Sequence, residues 1–241
     1  MAEAVQPLRF DLIGLDADDT LWQNEYLYSE IKARFISLLK VNYDALDVET
    51  KLDEMEMHNL QFFGYGIKSF TLSMIETAVA LTNGRITALH IQEILNLARE
   101  MLGTEIRLVP GAEDTVARLA VLHRLVLLTK GDLFEQSLKV ERSGLARYFN
   151  FVEILSDKTQ ASYLSLLAKY SVSPQRFMMV GNSLRSDIFP VAVLGGCAVY
   201  IPDPATWSHE SRVEAPPGMR HYFELSHLTE LPGLVQSLEK Q

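Results

Sequence analysis

Five short apolar runs constrain this chain most: residues 10–15, 125–128, 151–155, 177–180 and 198–201. Each is too short for a helix and is bounded by polar residues or glycine, as strands buried on both faces of a parallel sheet are. The first, FDLIGL, empties into Asp16-Ala17-Asp18-Asp19-Thr20. Between the later runs lie helical patterns at 113–122, 133–143, 159–170, 187–194 and 228–238. In the third of these, Tyr163, Leu164 and Leu167 share a face. Strand alternating with helix predicts crossover units and a doubly wound parallel α/β sheet.

Residues 23–106 break that rhythm. Leu27, Ile31, Phe35 and Leu38 recur at helical spacing, as do Ile91, Ile94, Leu95, Ala98, Met101 and Leu102 behind Thr87, a candidate N-cap. Further patterns at 48–59 and 67–81 predict four helices in all, with the bend Phe62-Phe63-Gly64-Tyr65-Gly66 between the middle two. Met55, Met57, Met74 and the Phe62-Phe63 pair read as the core of this insert. The expected division is therefore an α/β core, 1–22 with 107–241, and an inserted helical cap, 23–106.

The whole chain has 241 residues, of which 48% are hydrophobic and 22% charged, enough to build a substantial core. Its net charge of −9 and its lack of basic runs argue against a nucleic-acid ligand, while leaving room for a small anionic substrate. The single cysteine, Cys197, excludes an intramolecular disulfide and a cysteine-based zinc cluster. No apolar run approaches the ~18 residues that span a bilayer. A cytoplasmic protein without membrane partners is expected.

In a doubly wound sheet, ligands bind beyond the carboxyl ends of the strands. The residues that follow the apolar runs are Asp16, Asp18 and Thr20; Thr129, Lys130 and Asp132; Asp157 and Lys158; then Asn182, Ser183 and Asp187. Three crowded carboxylates repel one another, and oxygen ligands without histidine or cysteine select Mg²⁺ over zinc. With a lysine and a threonine hydroxyl, such a set forms a phosphoryl clamp in which an aspartate can attack phosphorus.

The segments LIGLDADDTLW, LVLLTKGD, LSDKT and MMVGNSLRSD, in this order across residues 10–201, resemble the four motifs of the haloacid dehalogenase-like superfamily. The insert resembles the helical cap of its phosphoglycolate phosphatase and β-phosphoglucomutase branch. The resemblance implies a Rossmann-like core and a Mg²⁺-dependent phosphatase acting on a small phosphorylated metabolite. By position it makes Asp16 the nucleophile that becomes an aspartyl-phosphate. Asp18 becomes the general acid and base, which also offers its backbone carbonyl to the metal. Thr129 and the amide of Lys130 would hold phosphoryl oxygens, Lys158 would steady Asp16 and the phosphoryl group, and Asp187 would hold the metal.

The chain departs from the family pattern at Asn182, where an aspartate commonly follows the glycine. Asparagine can still ligate through its oxygen, with weaker expected affinity for Mg²⁺. Two readings are open for Lys68, beside the glycine-rich bend: a contact for an anionic substrate tail, or a solvated lysine. Trp207, His209 and Glu210 form a polar group after the fifth run, readable either as part of the site or as a cover for the sheet edge. A 2-haloacid dehalogenase shares the nucleophile but needs neither Mg²⁺ nor a leaving-group acid, and Asp18 argues against it. A phosphomutase would keep every one of these residues, and a silent binding protein is suggested by Asn182 alone.

Overall fold

The computed structural model describes residues 8–39, 43–211, 213–216, 219 and 221–240. Six strands form one parallel sheet: β1 Leu12–Leu15, β2 Leu125–Lys130, β3 Phe151–Leu155, β4 Phe177–Gly181, β5 Cys197–Tyr200 and β6 Tyr222–Glu224. Their order in the sheet is β3-β2-β1-β4-β5-β6. All five predicted runs are strands, with ends shifted by up to two residues. β6 was not foreseen, because three residues with no apolar run of their own carry no strand signal.

The period-two alternation of side chains divides the strands between two cores. Ile13, Leu15, Leu125, Leu127, Met178 and Val180 face one side, beneath α5 (Ala112–Ala120) and α10 (Leu231–Lys240). Leu12, Val126, Leu128, Phe177 and Met179 face the other, against Tyr163, Leu166 and Leu167 of α7 (Gln160–Tyr170). Leu166, not the half-exposed Leu164 of the predicted stripe, belongs to this core. Gly14 in β1 is required for close approach, since a Cβ there would lie 2.9 Å from the Phe177 ring. Helices on both faces make this a Rossmann-like, doubly wound α/β fold. The chain leaves β1 toward β2 on one side, and β4 lies on the other, so the topological switch falls between β1 and β4.

Between β1 and α5 come four helices: α1 Glu25–Leu39, α2 Ala45–Phe63, α3 Ile67–Leu81 and α4 Ala88–Gly103. They bury their own cluster, which includes Ile31, Phe35, Leu52, Phe70, Met74 and Ile94. Thr87 caps α4 as predicted, its hydroxyl accepting the His90 amide. Met74 is core, but Met57, Phe62 and Phe63 lie exposed on α2, outside the buried cluster. The bend lies at Gly64 and Gly66, whose positive φ values of 68° and 123° suit glycine.

The remaining core helices are α6 Leu133–Ser143, α8 Phe189–Val193 and α9 Ser208–Ser211. The predicted helix at 187–194 is a π-turn over Leu184–Ile188, capped by Ser183, that runs into α8. Such turns often occur at functional sites. No helix among the described residues is long and apolar enough to cross a membrane.

Candidate active site

Asp16 leaves the carboxyl end of β1 at the switch point, and its amide donates to the Val180 carbonyl of β4 at 2.9 Å. Its carboxylate is buried and accepts from Lys158 Nζ on one oxygen and from Thr20 Oγ1 at 3.1 Å on the other. Lys158, 3% exposed, precedes α7, where Thr159 and Ser162 form a capping box. Its ammonium also donates to Asp187 Oδ1 at 2.7 Å. Asp187 Oδ2 accepts the Ser183 amide at 3.1 Å, so the π-turn sets this carboxylate against the strand end.

Two buried carboxylates thus share one ammonium, leaving the cluster with excess negative charge. Burial and Asp187 push the Asp16 pKa above the usual carboxylate range, against the pull of Lys158. Burial also opposes the Lys158 charge, but Asp16 and Asp187 outweigh it and raise that lysine above its ordinary value.

The expected crowd of three carboxylates divides in the structure. Asp18 lies on a second ammonium, that of Lys139, at 3.0 and 2.9 Å from its two oxygens. Oδ1 also accepts from Trp22 Nε1 at 2.7 Å, and Oδ2 from Gln136 Nε2 at 3.0 Å. Both oxygens therefore have two donors each, the usual capacity of a carboxylate. Lys139 further donates to Asn24 Oδ1 at 2.7 Å, where the chain enters the insert. Asp19, at φ 59°, caps that entry by accepting the Asn24 and Glu25 amides at 2.7 and 3.1 Å.

Thr129, at the end of β2, is buried and donates to Gln136 Oε1 at 3.1 Å. The Lys130 ammonium turns toward Ser186 Oγ at 2.8 Å and Glu210 Oε1 at 2.6 Å, and stands 4.0 Å from the centre of the Tyr65 ring. Burial acts to raise the Glu210 pKa, but Lys130, Ser183 and Ser186 outweigh it and bring the carboxyl down to about 2. Asn182 follows β4, accepting from Thr20 Oγ1 at 3.3 Å and donating to Thr206 Oγ1 at 2.8 Å.

Most of these groups meet at a cavity of about 220 Å³ between the strand ends and the insert, with Lys139 and Trp22 behind its wall. Asp16, Asp18, Thr129, Lys130, Lys158, Asn182 and Asp187 line it. Lys68, for which the sequence left a substrate contact and a solvated lysine both open, is not among the residues lining the cavity, and its half-exposed ammonium donates to both oxygens of Asp132 at 2.8 Å. It starts α3 on the outer side, where the nearest opposite charge is the N-cap of α6.

Sequence reasoning missed Gln136 and Lys139, one turn apart on α6. Both sit on its inward face, where Glu135, Gln136 and Val140 are buried, and along the sequence that face has no signal distinguishing it from an ordinary polar one. Of the group after the fifth run, Trp207 and Glu210 line the cavity, whereas His209 pairs with Arg185.

Among the described residues, no three His, Cys, Asp or Glu side chains are grouped to hold a metal. The donor set is instead two carboxylates, Asp16 and Asp187, with the Asn182 amide oxygen on the same cavity. That set fits Mg²⁺, which binds through one or two carboxylates together with substrate phosphate and water. The excess negative charge around Lys158 fits a cation as well.

The doubly wound sheet carries buried aspartates and a lysine at its switch point, under a helical insert. The family profile for haloacid dehalogenase-like hydrolases matches residues 10–195, and the chain belongs to that family. It is similar to a haloacid dehalogenase-like family hydrolase from Xanthomonas campestris, with 35% identity, a TM-score of 0.86, and coverage of 97% of this chain and 98% of that one. It shares the fold of L-2-haloacid dehalogenase from Xanthobacter autotrophicus at 13% identity and a TM-score of 0.65, covering 94% and 98% of the two chains. N-acylneuraminate-9-phosphatase of Mus musculus is 27% identical over 136 residues. That match covers 53% of each protein, so the chain spans about half the length of this curated relative.

Proposed function

We propose that the protein is a Mg²⁺-dependent phosphatase that hydrolyses a small phosphorylated metabolite through an aspartyl-phosphate on Asp16. The observation that carries this reading is a second carboxylate, Asp18, on the same cavity as Asp16, as hydrolysis of a phosphate ester requires and displacement of a halide does not. The likeness to a phosphatase over half its length lends support.

In the first step an Asp16 oxygen attacks phosphorus, the ester P–O bond breaks, and the departing alkoxide takes a proton from Asp18. In the second, Asp18 removes a proton from water, which attacks the same phosphorus and returns Asp16 as a carboxylate with inorganic phosphate. Because both Asp18 oxygens are fully engaged in the structure, Asp18 exchanges one donor whenever it takes a proton. Lys158 keeps the nucleophile oriented, while Thr129 Oγ1 and the Lys130 amide hold phosphoryl oxygens. Bound at Asp16, Asp187, Asn182 and the backbone carbonyl of Asp18, Mg²⁺ would neutralise phosphoryl charge. The insert acts as a cap that shields the first phosphoryl transfer from bulk water.

Phosphate release from a panel of monoesters, with and without Mg²⁺ and with Asp16→Asn alongside, tests this. Release that needs both Mg²⁺ and Asp16 is expected. Halide release from 2-haloacids with no ester cleaved would assign a dehalogenase, and a requirement for a bisphosphate would assign a phosphomutase.

A further inference from the structure

The polar side chains on the cavity wall facing the strand ends are held by hydrogen bonds within the protein, whereas some on the wall facing the insert have no partner among the described residues. Ser69 on α3 is 6% exposed and lines the cavity, yet its hydroxyl has no hydrogen-bond partner among the described residues. The same holds for the Glu25 carboxyl at the start of α1 and the Tyr28 hydroxyl one turn later, both partly buried on the same wall. Glu56 of α2 also lines it, although its unpartnered Oε1 is sealed away from the cavity and meets no ligand there. Phe70 provides an apolar side, its ring 5.2 Å from that of Tyr28. The Ser69, Glu25 and Tyr28 side chains have no protein partner and open onto the cavity, so they are free to hydrogen-bond a ligand that displaces water there.

Resting on the phosphatase reading, we propose that this recess is a subsite for the leaving alcohol, selecting hydroxylated, sugar-like phosphate monoesters without a second anionic group. Hydroxyls both donate and accept, as Ser69, Tyr28 and a protonated carboxyl do. Burial, with Asp19 as the main neighbouring charge, pushes the Glu25 carboxyl up to about 8, and burial pushes Glu56 up to about 7. Hydroxyls of the ligand replace water in the recess while keeping its hydrogen bonds.

A carboxylate or second phosphate in this recess meets no available cation. Lys32 supplies the insert-side ammonium among the described lining residues, and it is paired with Asp53. Lys68, which the sequence had suggested for such a tail, is on Asp132 outside the cavity. An unpaired anion in a buried space is costly, so the recess discriminates against it.

The test compares kcat/KM for ribose 5-phosphate, propyl phosphate and phosphoglycolate in the wild type, Ser69→Ala and Glu25→Ala. In parallel, the same esters are titrated calorimetrically into Asp16→Asn protein with and without Glu25→Ala. Ribose 5-phosphate is expected to exceed both others by at least about tenfold, the scale of one or two lost hydrogen bonds, with that advantage shrinking in each variant. Equal or better turnover of propyl phosphate or phosphoglycolate, or an advantage that survives in both variants, overturns the subsite and leaves the phosphatase reading standing. If no ester is cleaved, the phosphatase reading falls and calorimetry decides the subsite. Binding of ribose 5-phosphate about tenfold tighter than propyl phosphate and dependent on Glu25 upholds it, and equal binding overturns it.

Discussion

Replacing Gly181 by alanine puts a methyl group into the one place at the end of β4 that Asp187 already fills. The added Cβ would lie 2.2 Å from Asp187 Oδ2, 2.4 Å from its Cγ and 2.7 Å from its Cβ, where ordinary contact begins at 3.4 Å. Because Asp187 Cβ is itself in the way, rotating the side chain relieves nothing, and the carboxylate must retreat by about 1 Å. That withdraws it from Lys158 and from the Ser183 amide, at 2.7 and 3.1 Å. Overpacking costs about 1–3 kcal/mol, and a hydrogen bond to a charged group about 1.5–3 kcal/mol. Together they predict a loss of about 3–5 kcal/mol and a fall in Tm of roughly 10 °C for a chain of this size. Thermal unfolding by circular dichroism measures it, with Gly233→Ala as control, since no atom lies within 4 Å of a Cβ there. Phosphate release should fall at least about tenfold with the displaced carboxylate. A Gly181→Ala protein with the Tm and activity of the wild type would refute the packing argument and the role given to Asp187.

Other consequences follow from the site's charges. Asn182→Asp adds a carboxylate to the donor set, and the Mg²⁺ concentration for half-maximal activity should fall; an unchanged value would remove Asn182 from the ligands. Glu210 has a folded pKa depressed to about 2, so its contribution is present above the ordinary 4.5 and lost as pH falls through 2. Glu210→Gln should therefore cost ~3 kcal/mol in urea unfolding at pH 7, with the difference narrowing below pH 4.5. Glu56 has the opposite sign: its pKa, raised to about 7, lets it stay neutral at pH 4, and it costs stability as pH rises from 4.5 through 7. Glu56→Gln should match the wild type at pH 4 and exceed it at pH 9, and a constant difference would contradict that.

The sheet and the rim of the site were legible because both depend on local order along the chain. A strand emptying into Asp16, another into Thr129 and a third into Asn182 put these residues at one edge of any parallel sheet, whatever the details of packing. Thr87 and the 67–81 pattern were readable for the same reason, as a cap and a period. What the sequence left open or missed depends on neighbours distant along the chain. Lys68 begins a helix near the cavity, but the proximity of Asp132, 64 positions away, decides where its ammonium goes. Glu210 could be read as part of the site or as a cover for the sheet edge, and the contact with Lys130, 80 positions earlier, is what places it on the cavity. Gln136 and Lys139 look like the polar face of α6, and only the assembled fold turns that face onto Asp18.

The central claim is that Asp16 carries the phosphoryl group between ester and water. The measurement that tests it most directly is rapid acid quenching of the Mg²⁺-loaded enzyme during turnover of a cleaved monoester, followed by mass spectrometry of its peptides. The account predicts the mass of one phosphoryl group on the peptide containing Asp16, absent in Asp16→Asn. A phosphoryl group on another residue, or full ester cleavage by Asp16→Asn, would contradict it.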